Sequence, residues 1–240
     1  LDDFLSAYLD YKGANGVWIS GFFGSGKSHL LKILSYVLSN TKIDGISLGD
    51  LFLQKIEDDI LKANFKRAIS TPSKSILFNI DQKADITNKQ QPDAILSVFI
   101  KVFNELRGYY PKHGYIAEFE RDLDKQGLYE TFKKEYYGQT KTNWEDAREI
   151  ILLENENFAK VLSKVKSISY NEALRVLDGY ESKYKVSIEE FADNVKEYID
   201  QQPKGFRLNF FVDEVGQYIS ENTKLMLNLQ TIAETLATKC

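Results

Sequence analysis

Residues Gly21-Phe22-Phe23-Gly24-Ser25-Gly26-Lys27-Ser28 spell GxxxxGK followed by Ser, and this octet constrains the backbone around it more tightly than any other feature of the chain. The apolar run Val17-Trp18-Ile19 precedes it, and the spacing predicts a strand over residues 17–20, entered through a glycine turn at Gly13 to Gly16. After it, Leu30, Leu31, Leu34, Val37 and Leu38 keep one apolar face, which predicts a helix ending near Ser39-Asn40. Between a strand and a helix, such a loop turns successive backbone N–H groups inward, toward the positive end of the helix dipole. That is the chemistry of a phosphate cradle, with Gly21, Phe22, Phe23, Gly24, Ser25, Gly26, Lys27 and Ser28 as the binding residues. Lys27 supplies a charge to the β- and γ-phosphate oxygens of ATP, and Ser28 a hydroxyl to Mg2+. His29 either borders the α-phosphate or packs beside the loop.

A second apolar run, Phe206-Arg207-Leu208-Asn209-Phe210-Phe211-Val212, follows the turn signal Pro203-Lys204-Gly205 and ends in Asp213-Glu214. Ligands of parallel sheets sit beyond the carboxyl ends of the strands, so an acidic residue delivered there can face the cradle. Asp213 is the candidate Mg2+ ligand opposite Ser28, the alternative being a surface turn. Glu214 is either the general base that orients the attacking water or an exposed neighbour. Lys27 and Glu214 are thus the candidate catalytic pair.

The rest of the pattern predicts helices over 2–12, 50–68 with Asp50 as N-cap, 93–107 closed by Gly108, and 222–238. A strand is expected over 75–80, after Pro72 and Ser73 break the preceding helix. Between 91 and 202 only helical patterns occur, with possible capping boxes at Thr142/Glu145, Ser169/Glu172 and Ser187/Glu190. The expected architecture is an α/β three-layer α/β/α parallel sheet with a large all-helical insertion. Residues 1–90 and 203–240 would form the nucleotide-binding core and 91–202 the insertion, whose place in a loop makes it the expected partner-binding surface. Phe4, Tyr8 and Lys12 either border the adenine or, for the aromatics, pack in the core. His113 reads as a surface residue.

Composition narrows the class. A net charge of −4 gives no overall field for nucleic acid or anionic lipid, and no apolar stretch has the length of a membrane span. A single cysteine, Cys240, excludes an internal disulfide framework and fits the cytoplasm. The chain opens on Leu1 and stops at Cys240 just after a helical pattern, as an excerpt from something longer does, so the sheet is expected to be incomplete and the excerpt to turn over poorly.

The blocks 16–30 and 210–219, followed by 225–232, resemble the N-terminal ATPase region of the BrxC family, the large P-loop proteins of bacterial BREX phage-resistance systems, which are similar to the PglY proteins of phage growth limitation. The resemblance implies an AAA-like, additional-strand P-loop NTPase that uses ATP and Mg2+. Its implied partners are other defence-system proteins, including a DNA methyltransferase, with DNA reached indirectly or through parts of the chain not present, and homo-oligomerisation in the full-length protein. It carries over 21–28 as nucleotide ligands, Asp213 as Mg2+ ligand and Glu214 as catalytic acidic residue. A polar sensor strand and a lid would follow Cys240. Two functions are compatible with these signals: an ATPase that remodels a DNA-associated complex, or an ATP-gated assembly switch with little hydrolysis. A small-molecule kinase would need an arginine-rich lid, for which the sequence offers no candidate.

Overall fold

Residues 2–10, 16–84, 91 and 93–240 are described by the computed structural model, and most of them are helical. Helix α1 (Asp2–Asp10) precedes the glycine loop, and α2 (Lys27–Leu38) follows it. Strands β1 (Lys42–Ile43) and β2 (Ile46–Ser47) form a hairpin, succeeded by α3 (Leu48–Leu53), α4 (Asp59–Ser70), β3 (Ser73–Asn79) and the single turn α5 (Ile80–Lys83). Helices α6 (Ala94–Arg107), α7 (Gly114–Lys125), α8 (Tyr129–Thr140), α9 (Trp144–Ala147), α10 (Ile151–Lys166), α11 (Tyr170–Leu174), α12 (Val176–Lys183) and α13 (Ile188–Asp200) come next. The chain closes with β4 (Arg207–Asp213), α14 (Val215–Ile219) and α15 (Thr223–Lys239).

The expected three-layer parallel sheet is not formed. Among the described residues the strands make two sheets of two strands each, β1 with β2 antiparallel and β3 with β4 parallel. Residues 17–20, expected as the strand feeding the loop, carry no strand, and Val17 and Trp18 stay about half exposed. A parallel strand exists only through its ladder to a neighbour. The short apolar run between Gly16 and Gly21 predicts extended backbone, yet it cannot announce whether a partner edge is there to receive it. Every element between residues 94 and 200 is helical, so the middle of the chain supplies no further strand.

The expected helix over 50–68 is also two helices. Ser47, not Asp50, opens α3, its side chain accepting from the Asp50 N–H at 3.0 Å. Asp58 opens α4 in the same way, accepting from Leu61 N–H at 2.7 Å. Two competing caps within a dozen residues interrupt what the apolar spacing alone would continue.

The chain divides into two compact units, residues 1–98 with 186–240, and residues 99–185. In the first, β3 and β4 pair in register from Ser73 opposite Arg207 to Asn79 opposite Asp213. One face of this ribbon lies on α2: Ser73 Oγ donates to the Leu38 carbonyl at 2.8 Å, and Phe211 shares a buried cluster with Leu34, Val37, Leu38, Leu5, Phe65 and Ile69. Each such fully buried side chain contributes about 1.5–3 kcal/mol. On the other face Phe210 meets Phe191 of α13 at 6.2 Å. The start of β3 touches the end of α2, so α2 runs antiparallel to both strands. Its N-terminus therefore arrives where the strands end.

The second unit packs helices around Phe119, Phe132, Tyr136, Trp144 and Phe158, all essentially inaccessible. In their midst lies Glu120, fully buried, whose carboxylate accepts from Trp144 Nε1–H and from Arg148, each at 2.7 Å, and from the Tyr110 N–H at 2.5 Å. Tyrosines reach out of this core to carboxylates: Tyr136 donates to Glu154 at 2.7 Å and Tyr180 to Asp122 at 2.6 Å. Burial, aided by the bond to Asp124, pushes the Tyr109 hydroxyl up to about 12. Ser169 and Ser187 open α11 and α13 as read from the sequence, accepting from the Glu172 and Glu190 N–H groups. At the third expected capping box the cap position is Asn143 rather than Thr142, with no side-chain bond to the helix.

Candidate functional site

The loop 21–28 is shaped by its glycines. Gly24 and Gly26 hold φ of 77° and 85°, in the left-handed region that costs a side-chain-bearing residue about 1–2 kcal/mol. Within the loop the Ser25 N–H donates to the Phe22 carbonyl at 3.1 Å, which closes the bend. Gly26 is the N-cap of α2, and no side chain caps that helix. Its first N–H groups therefore remain available to an acceptor at the positive end of a twelve-residue helix. Lys27 Nζ donates to the Gly21 and Phe22 carbonyls, both at 2.9 Å, so the ammonium lies folded across the loop.

The decisive contact joins residues 185 positions apart: Ser28 Oγ donates to Asp213 Oδ1 at 3.1 Å. The antiparallel seating of α2 on β4 brings them together. Asp213 Oδ1 also accepts from the Glu214 N–H at 3.0 Å, which fixes the carboxylate rotamer. Glu214 itself sits at φ 60°, ψ 18°, a left-handed position unusual for a residue with a β-carbon. Its carboxylate is exposed beside Asp213.

This donor set fits a magnesium nucleotide. Mg2+ prefers one or two protein oxygens completed by phosphate oxygens and waters, and the Ser28 hydroxyl with the Asp213 carboxylate would supply those two. Among the described residues no group of three or more His, Cys, Asp or Glu side chains is gathered as a metal site.

Of the remaining sequence candidates, Phe22 and Phe23 stand out in solvent at 91% and 105% exposure, so their part in a cradle falls to backbone N–H groups. His29 is exposed in the first turn of α2. Phe4 and Tyr8, both partly buried, stack on each other at 5.9 Å against the buried cluster around Leu5, and Arg207 lies over the Tyr8 ring. Lys12, like Gly13, lies outside the described residues. His113 is exposed between Tyr110 and Tyr115.

One polar neighbour was not singled out from the sequence. Asn79, the last residue of β3, is the register partner of Asp213, and its Oδ1 accepts from the Gln82 N–H at 3.1 Å. The signal available was an Asn closing a strand three places before Gln, which a reading tuned to acidic strand ends passes over. No protein-family model matches the chain, and no solved structure matches it significantly.

Proposed function

We propose that the chain binds Mg-ATP between the 21–28 loop and the β4 carboxyl end and hydrolyses it in the service of a bacterial BREX-type anti-phage complex in the cytoplasm. The observation that carries this reading is the Ser28–Asp213 hydrogen bond, because a hydroxyl and a carboxylate held together at a glycine-rich helix start are the residues that would hold a magnesium ion of Mg-ATP. Bound magnesium neutralises charge on the triphosphate oxygens. Ser28 and Asp213 would hold the cation, and the loop amides would hold the phosphates. Lys27 leaves the Gly21 and Phe22 carbonyls to meet a stronger acceptor. Glu214, exposed one residue beyond the candidate cation ligand, would accept the proton of the attacking water.

The BREX assignment rests on the resemblance of residues 16–30 and 210–232. It names as partners other defence proteins, a DNA methyltransferase among them, with DNA engaged through them. No described helix is long and apolar enough to cross a membrane.

A second reading, an ATP-gated assembly switch with little turnover, is favoured by one feature of the helical unit: Ile150, Leu152 and Leu153 are 51%, 90% and 82% exposed, an apolar row suited to a protein partner. The two readings part at Glu214. In the full-length protein Glu214→Gln is expected to keep ATP binding while phosphate release falls by about a hundredfold or more, within the range of lost general-base catalysis. Loss of phage defence with turnover supports the ATPase. Retained defence favours the switch, and unchanged hydrolysis removes Glu214 from the chemistry.

A further inference from the structure

We infer that Asn79 is a ligand of the terminal phosphate, the group through which this site tells ATP from ADP; the inference rests on the nucleotide-binding reading above. In a parallel ribbon, register partners project to the same face, about 4.8 Å apart. The face is fixed by contacts at both ends. Ser73, six residues before Asn79, reaches the Leu38 carbonyl of α2, and Asp213, its register partner, reaches Ser28 at the other end of the same helix. With side chains alternating along β3, Asn79 falls on that face, opposite Asp213 in the ladder at the carboxyl end of the strands.

The chemistry of the amide then selects its ligand. Asn79 Oδ1 is engaged by the Gln82 N–H, which orients the group, whereas Nδ2 makes no hydrogen bond among the described residues. Its two N–H donors, on a half-buried amide at the end of β3, suit an anionic acceptor. The loop amides and Lys27 lie at the start of α2, where Lys27 would serve the β- and γ-phosphates from the loop side. The Asn79 amide, at the end of the strand paired with β4, would add a donor to the terminal phosphate alone, the group that ADP lacks. Asp213 cannot do this work, since a carboxylate only accepts.

The test compares Mg-bound fluorescent ATP and ADP analogues on the intact chain. Asn79→Ser preserves a cap for Gln82 but withdraws the amide, and it is expected to weaken ATP about tenfold, the value of one hydrogen bond to a charged group, while ADP stays within about twofold. Asn79→Asp, which also keeps the cap, sets a carboxylate against the phosphate and is expected to lose more ATP affinity than Asn79→Ser. Equal losses for both nucleotides, or none for either, overturn the role of Asn79 and leave the site standing. A wild-type chain that binds neither nucleotide overturns the nucleotide reading and this inference with it.

Discussion

At the residue scale the site turns on one backbone outlier. Glu214 holds a left-handed conformation that a β-carbon disfavours by about 1–2 kcal/mol, and it does so one position after the carboxylate that Ser28 contacts. The strain has a visible use: it ends β4 abruptly, turns the Glu214 N–H back onto Asp213 Oδ1 and starts α14 in a new direction. Glycine adopts this φ without penalty but has more freedom to lose on folding. Glu214→Gly is therefore expected to shift stability between unchanged and about 1 kcal/mol more stable, read as the urea midpoint, while ATP turnover falls as it does for Glu214→Gln. A loss of more than about 1 kcal/mol would mean that the Glu214 side chain holds the fold together rather than waiting on a substrate. Part of this was legible in the sequence: the glycines marked the bend of the loop, and the Asp213-Glu214 pair at an apolar strand end declared its position. The left-handed turn at Glu214 was not, because nothing about a glutamate advertises positive φ.

Elements were readable where a local bond defines them and unreadable where a partner does. Ser187 and Ser169 announced their helices because an N-cap is a contact between residues three apart. Asn222 likewise opens α15, accepting from the Lys224 and Leu225 N–H groups. Residues 17–20 failed as a strand for the opposite reason, since their apolar run could not report that no ladder meets them. Asn79 was missed on the same account: its meaning comes from Asp213, its partner across the β3–β4 ladder, a relation that spacing along one strand does not contain. Local bonds also make the sharper prediction. Ser187→Ala is expected to cost about 1 kcal/mol, because α13 loses the acceptor for the Glu190 N–H. Hydrogen exchange should show the loss as faster exchange in the first turn of α13, with the α11 turn opened by Ser169 unchanged. Equal protection in mutant and wild type would make the Ser187 bond ornamental.

Over the whole molecule, the division into two units separates two kinds of polar chemistry. The unit holding residues 21–28, Asn79 and Asp213 keeps its charged groups accessible at the strand ends, as a ligand site requires. The unit of residues 99–185 instead buries a charge, satisfying Glu120 with donors from Tyr110, Trp144 and Arg148. Such a knot specifies packing rather than catalysis, since it is sealed from any substrate. Removing the carboxylate strands the Arg148 guanidinium, whose side chain is only 11% exposed, and unpaired buried partners of this kind cost about 3–5 kcal/mol. That is a large part of the stability of a unit this size. Glu120→Ala should therefore unfold residues 99–185 preferentially. Limited proteolysis is expected to cut within that range first, and binding of the Mg-ATP analogue to the other unit should persist at wild-type affinity. If nucleotide affinity falls together with the helical unit, the two are one cooperative body, and the helical unit is part of the nucleotide machinery rather than a module carried beside it.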